Sequence, residues 1–353
     1  MRIALCHFRV GETDGISLEM DKWKAVLESL GHEVVYIAGS KGATTVPAFI
    51  IDELNYLNER NNKISENAYV ELKNFTSEEL KAEVYDMANI IREKLLKIVK
   101  ENNIEILVLN NIWSLGHSLP AGIGFYQAAK ELSIPCVCHH HDFYFERVKY
   151  DNPTCEFVSN ILKEYFPPKE KFIKHCVINE IAKKQVSRRY GIDAIVVPNV
   201  FDFENSPWVE DAYNLDFKDG IGLKKNDVMI LQATRVVARK AIELAVDVVS
   251  ELMKNRKELE GKVLYNGQQF NSDSRIVLVL AGLTDEEDRY KTSLKRRAKE
   301  KNVEMIFINE VIRHTRASVG EKKCYSLWDA YVFADLITYP SILEGWGNQF
   351  LEG

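Results

Sequence analysis

The residues best suited to chemistry lie near the end of the chain. Glu344 and Glu352 are separated by seven residues, and Gly345-Trp346-Gly347 follows the first of them directly. Glycines there let backbone N–H groups approach a ligand closely. A helix opening at the same point would turn its positive end toward an anion. On such a helix Glu352 would lie about two turns beyond Glu344, so the two carboxylates could address opposite ends of one elongated ligand. The competing reading is a surface turn leading into an amphipathic helix.

A second group is Arg235-Val236-Val237-Ala238-Arg239-Lys240, which follows an apolar run and leads into a helical pattern. Arg235 and Lys240 at the carboxyl end of a strand could neutralise a diphosphate, the arginine by bidentate hydrogen bonds and the lysine as a point charge. Alone, the segment also reads as a solvated basic turn. A third group, Gly11-Glu12-Thr13-Asp14-Gly15, has the glycines of a phosphate loop but neither the dinucleotide spacing nor a P-loop lysine.

Cys136-Val137-Cys138-His139-His140-His141-Asp142 offers metal-ligand types in one short run. In a strand, alternate side chains point to opposite faces, so only some can converge. No second ligand cluster at metal-like spacing accompanies them, and no metal is expected. Arg147, just downstream, could bind an anionic acceptor or stand exposed.

These groups need elements to position them. Apolar runs alternate with helical stretches from the first residue, the signature of βαβ units and a parallel sheet. Strands are expected at Ile3–Phe8, Val34–Ile37, Ile106–Leu109, Pro135–Cys138, Cys176–Ile178 and Ala194–Val197. Helices are expected from Ser17 to Leu30, with Met20, Trp23, Leu27 and Leu30 on one face, and from Thr76 to about Lys100, with Thr76 or Ser77 as cap. Residues 40 to 75 read as a surface excursion of short helices. Residues 201 to 226, polar and containing Pro207, read as a linker. The alternation then restarts with strands at Val228–Gln232, Ile276–Ala281, Met305–Ile308 and Leu336–Tyr339, and helices at Ala241–Met253 and Tyr325–Phe333. This predicts an N-terminal domain over 1–200 and a C-terminal domain over 227–353, two Rossmann-like α/β domains facing a central crevice with the ligand at the strands' carboxyl ends.

Composition narrows the function. A net charge of −6 argues against a protein devoted to nucleic acid, and the basic cluster Lys295, Arg296, Arg297, Lys299 reads as a solvated helix face. No run approaches the roughly 18 apolar residues of a membrane helix. The N-terminus reads as a first strand and not a signal peptide. Six scattered cysteines suit reduced thiols in a cytoplasmic enzyme.

Taken together and in this order, strand, Arg-x4-Lys, helix, strand, Pro340-Ser341 and Glu344-Gly345-Trp346-Gly347…Glu352 resemble the donor domain of glycosyltransferase family 4. The glycine loop after strand one, Asn179 and Pro198-Asn199 extend the resemblance along the chain. It implies the GT-B fold and transfer of a hexose from a UDP- or GDP-sugar to a small acceptor, with retention, without a cofactor and independent of metal. By the same resemblance Arg235 and Lys240 hold the donor diphosphate, Glu344 contacts hydroxyls of the sugar and Glu352 the ribose. Backbone groups of Gly15, Gly345, Trp346 and Gly347 approach sugar and phosphates. His141 stands beside the transferred sugar, with His140 as second choice, and Arg147 meets the acceptor. The segment from Gly11 to Met20 and the His141-Asp142-Phe143-Tyr144 stretch are similar to a subgroup making glycosylglycerate-type solutes. Two departures stand out: Ala241 replaces the family's glycine after the lysine, and the family pattern continues past Glu352, so the second domain is expected to be incomplete. A sugar-nucleotide epimerase of GT-B type and a non-catalytic sugar-nucleotide binder are the rival readings.

Overall fold

The computed structural model describes all residues except 202, 205–208, 285–287, 321 and 343. Pro207, part of the expected linker, lies outside the described residues. The chain divides into two compact units, Met1–Glu12 with Ile16–Val200, and Thr13–Gly15 with Phe201–Gly353.

The first unit runs β1 (Arg2–Val10), α1 (Gly15–Ser29), β2 (Glu33–Lys41), β3 (Ala48–Ile50), α2 (Glu59–Tyr69), α3 (Ser77–Glu101), β4 (Ile106–Asn110), α4 (Leu119–Leu132), β5 (Cys136–His140), α5 (Glu156–Tyr165), β6 (Ile173–Val177), α6 (Glu180–Tyr190) and β7 (Ile195–Val196). Among the described residues these strands form one parallel sheet in the order β3-β2-β1-β4-β5-β6-β7. The order reverses between β1 and β4, and that switch point is where open α/β sheets gather their ligands. Strand β1 is buried along nearly its whole length, as a strand covered on both faces must be. Helix α3 starts as its sequence dictates: Thr76 Oγ1 accepts from Glu79 N–H and Glu79 Oε2 accepts from Thr76 N–H. It buries Leu80, Val84, Met87, Ile91 and Leu95, an apolar stripe of helical period. Helix α4 crosses it closely, because a Cβ on Gly124 would lie 2.7 Å from the Ala88 carbonyl oxygen.

The second unit runs α7 (Phe217–Gly220), β8 (Val228–Gln232), α8 (Ile242–Lys254), α9 (Arg256–Leu259), β9 (Ile276–Leu280), α10 (Asp288–Glu300), β10 (Glu304–Phe307), β11 (Ile312–Arg313), β12 (Ala317–Val319), β13 (Lys322–Ser326), α11 (Leu327–Val332), β14 (Leu336–Ile337) and α12 (Gln349–Glu352). Its main sheet is parallel, in the order β10-β9-β8-β14. β8 and β9 are buried at every position. Both units are therefore Rossmann-like α/β layers, and no helix among the described residues is long and apolar enough to cross a membrane.

Several expectations need correction. Residues 40–75 contain not only short helices but also β3, which pairs with β2 at Tyr36, Ile37 and Ala38 and extends the sheet. Leu30 lies past the end of α1 and is exposed, while Met20 is buried and Trp23 and Leu27 are partly so. Tyr325 and Ser326 close strand β13, and the helix starts only at Leu327 because Ser326 caps it through Asp329 N–H. Much of the expected linker is packed: Phe217 and Asn214 are fully buried, and Asp211 and Asn214 join Arg316 and Asp329 in one polar network. On α10, Arg297 holds Asp247 through two hydrogen bonds, so the basic cluster is part of a helix surface.

Candidate functional site

Strand β8 ends at Gln232 and the chain passes through Ala233 and Thr234 to Arg235. Three groups fix that loop. Gln232, fully buried, donates to Thr234 Oγ1 at 2.6 Å and accepts from Thr338 Oγ1 at 2.7 Å. The Gln349 side-chain carbonyl, oriented by its hydrogen bonds, accepts from the N–H groups of Ala233 and Thr234, each at 3.2 Å. Gly282 lies so close that an added Cβ would sit 1.8 Å from the Thr234 oxygen. Arg235 emerges partly exposed from this loop.

A 3-10 turn at Ala238–Lys240 then brings Lys240 to a buried position, 7% exposed. The next residue, Ala241, has φ +47° and is fully buried at the N-cap of α8. That is the left-handed region, which glycine enters freely and alanine with strain. Ala241 therefore occupies a backbone position that a glycine would adopt without strain.

Lys240 and Arg239 converge on Glu344. Lys240 Nζ forms a close ion pair with Glu344 Oε1, and Arg239 Nη1 lies 3.2 Å from Glu344 Oε2. The Lys240 ammonium also sits 5.7 Å from the centre of the Tyr339 ring. Burial first, then the like charge of Arg239, pushes Lys240 down to about 8, against the attraction of Glu344. Burial alone would raise the Glu344 carboxyl, but Lys240 and Arg239 outweigh it and hold the group below its ordinary value. The cluster is thus crowded with positive charge and partly shielded from water. An incoming anion would relieve that crowding.

After Glu344 the chain does not enter a helix at once. Gly347 adopts φ +89°, and only Gln349–Glu352 is helical. Glu344 and Glu352 are therefore not two turns apart on one helix; the glycine turn separates them. Trp346 is half-buried and Gly345 partly exposed beside it. Glu352 is nearly buried, and its Oε2 accepts from the Tyr331 hydroxyl at 2.7 Å. Gly15 is exposed at the start of α1, and with Thr13 and Asp14 it groups with the second unit.

In the first unit the strand ends collect polar groups. His7 Nδ1 meets the Asn110 carbonyl at 2.9 Å. Asn111 Oδ1 accepts from His141 N–H at 2.7 Å, and His141 Nε2 is 3.5 Å from Asn110 Oδ1. His139 packs against His141 with ring centres 4.3 Å apart, and against Trp23 at 4.8 Å. Its Nε2 lies 3.0 Å from the Val197 carbonyl. Burial, reinforced by His139 and His7, holds His141 far below the ordinary histidine value; burial takes His139 to about 4. His141 is therefore a neutral imidazole at pH 7, able to exchange hydrogen bonds with a hydroxyl but not to serve as a cation. His140 points elsewhere, its Nε2 3.0 Å from His175 Nδ1. Arg147 pairs with Asp142 at 2.7 Å, both side chains mostly buried.

The structure thus brings Arg239, Lys240 and Glu344 into contact, with Arg235 on the loop leading to them. Sequence reasoning missed Arg239 as a partner of Glu344, Gln349 as the clamp on the β8 loop, Tyr331 as the holder of Glu352, and Gly282. Arg239 and Gln349 stood inside the quoted motifs. Tyr331 and Gly282 gave no signal, because their partners are distant in sequence.

No family model matches the chain. It is 43% identical over 359 residues to mannosylglucosylglycerate synthase of Petrotoga mobilis, covering 100% of this chain and 80% of that protein. It is 37% identical over 357 residues to mannosylglucosylglycerate synthase of Thermotoga maritima, covering 100% of this chain and 78% of that one. Among solved structures it is similar in fold to WaaG, a glycosyltransferase involved in lipopolysaccharide biosynthesis, with a TM-score of 0.56 at 14% identity over 99% of this chain and 78% of that one. The apo structure of OtsA gives a TM-score of 0.60 at 13% identity, over 98% and 79%.

Proposed function

Since the chain belongs to the mannosylglucosylglycerate synthase family, glycosyltransferases of the GT-B fold, we propose that it transfers a hexose from a UDP- or GDP-sugar to a glycerate-type glycoside, with retention, as in family 4. The acceptor class is taken from the relatives' name, which describes a product containing mannose, glucose and glycerate. The observation that carries the donor half is the convergence of Lys240 and Arg239 on Glu344 beyond β8, with Arg235 on the adjoining loop.

In this reading the donor diphosphate takes the place of Glu344 as partner of Lys240 and meets Arg235. Charge-assisted hydrogen bonds then stabilise the negative charge that develops as the nucleoside diphosphate leaves. Glu344, released from Lys240, turns to hydroxyls of the transferred sugar. The backbone of Gly15, Gly345, Trp346 and Gly347 approaches sugar and phosphates, and Glu352, held by Tyr331, takes the ribose. His141, kept neutral, hydrogen-bonds a sugar hydroxyl, and Arg147 orients the acceptor carboxylate. No protein nucleophile enters; the acceptor hydroxyl loses its proton to the departing phosphate and attacks from the same face.

A divalent ion has no role at a diphosphate already met by cations. Six unpaired cysteines support a cytoplasmic setting.

The test is an assay of UDP- and GDP-hexoses with glycerate and glucosylglycerate, with products identified by mass spectrometry and anomeric configuration by NMR. A new glycoside retaining the donor's configuration is expected. An epimerised sugar nucleotide formed without acceptor, or tight nucleotide binding without any product, would refute the proposal.

A further inference from the structure

Cys138 and His140 are two residues apart on β5 and so face the same side of the sheet. His175, on neighbouring β6, is in register with Cys138. One ligand atom from each of the three lies within 4.8 Å of the others. All are deeply buried, at 0%, 1% and 7% exposure. This is the third partner that the sequence did not reveal, since His175 lies 35 residues from His140.

The hydrogen bonds show which nitrogens are available. His175 is hydrogen-bonded to the backbone of Pro168. Proline offers only a carbonyl there, so the imidazole is the donor. A neutral ring that spends its N–H on a carbonyl presents a bare nitrogen on its other side. His175 Nδ1 accordingly accepts from His140 Nε2 at 3.0 Å, the two rings parallel to within 18°. His140 Nδ1 is left as a bare, buried nitrogen with no hydrogen-bond partner. A histidine whose second nitrogen donates to a carbonyl is the arrangement that metal-ligating imidazoles adopt.

We infer that Cys138, His140 and His175 form a buried site for a thiophilic transition-metal ion, Zn²⁺ above all, with a structural role. One sulfur and two imidazole nitrogens suit zinc and related ions, whereas Mg²⁺ and Ca²⁺ seek oxygen. On binding, the Cys138 thiol releases its proton to the buffer and the thiolate bonds the metal. The hydrogen bond between His140 Nε2 and His175 Nδ1 breaks, each neutral imidazole turns a nitrogen lone pair to the metal, and a water completes the tetrahedron. The ligands all belong to the first unit, and the inference stands whether or not the transfer reaction proposed above is correct.

The experiment is a Co²⁺ titration of the metal-free full chain, followed by Zn²⁺ competition and elemental analysis of protein grown with zinc. About one Co²⁺ per chain should bind with a near-ultraviolet thiolate-to-cobalt band and visible bands of tetrahedral intensity, all abolished by Zn²⁺. Cys138→Ser should remove the near-ultraviolet band, and Cys155→Ser should leave it. Zn²⁺ should raise the melting temperature of the unaltered chain and Mg²⁺ should not, a readout that needs no variant to fold. Absence of the band together with absence of retained zinc would overturn the inference and leave a hydrogen-bonded core trio. A band that survives Cys138→Ser would equally overturn it.

Discussion

Replacing Lys240 with methionine should make the ligand-free protein more stable while it ruins diphosphate binding. The side chain of Lys240 is 9% exposed, Glu344 is its ion-pair partner, and Arg239 adds a second positive charge. Despite that partner, the group falls from 10.5 to about 8, which corresponds to about 3 kcal/mol spent on keeping the ammonium charged in the fold. The sign follows from linkage. Below pH 8 the lysine is protonated in both folded and unfolded chains, and the whole penalty is present. Between pH 8 and 10.5 the unfolded chain binds the extra proton, so the stability of the unaltered protein rises with pH through that window. Methionine has a similar length and no charge, so Lys240→Met removes the penalty at pH 7. For a unit of this size, a gain of about 3 kcal/mol raises the melting temperature by roughly 6 °C or more. Loss of one charge-assisted contact should meanwhile weaken nucleoside diphosphate binding by about 10- to 100-fold. Calorimetric melting of both proteins from pH 7 to 10, and titration with nucleoside and nucleoside diphosphate at pH 7, provide the test. If Lys240→Met melts below the unaltered protein at pH 7, or if the gap between them does not narrow toward pH 10, the reasoning fails. Equal losses for nucleoside and diphosphate would refute the phosphate role.

Glu352→Gln should weaken the bare nucleotide by about 10-fold, and Tyr331→Phe should share part of that loss by freeing the carboxylate. Glu344→Gln should weaken chiefly the sugar-bearing donor, which calorimetry with nucleotide and sugar nucleotide would separate. Gly282→Ala drives a Cβ into the Thr234 carbonyl and should destabilise the second unit by about 1–3 kcal/mol, with loss of donor affinity. Unchanged donor affinity in a folded Gly282→Ala protein would show that the loop is not held there. Turnover should not rise on adding Mg²⁺ or Mn²⁺, and activation by either would contradict a diphosphate met by Arg235 and Lys240.

The sequence alone determined the architecture, and it picked out the segments that supply the candidate donor-site residues. Buried strands such as Val228–Gln232 are apolar at nearly every position, and Thr76 with Glu79 forms a cap from residues three apart. Signals of that kind are local, so they survive without a fold. The glycosyltransferase motif was legible for the same reason, as cations after one strand and carboxylates after another. Tertiary structure decided the pairing. Glu344 lies 104 residues from Lys240, and only the adjacency of β8 and β14 brings the segments that follow those strands together. It also decided the backbone states: neither the left-handed turn at Ala241 nor the turn at Gly347 is required by composition. The histidine run shows the division within one segment. Alternation along β5 separates His139 from His140, as strand geometry demands. That His140 meets a second imidazole depended on β6 bringing His175 alongside, a long-range pairing that the sequence of β5 does not contain.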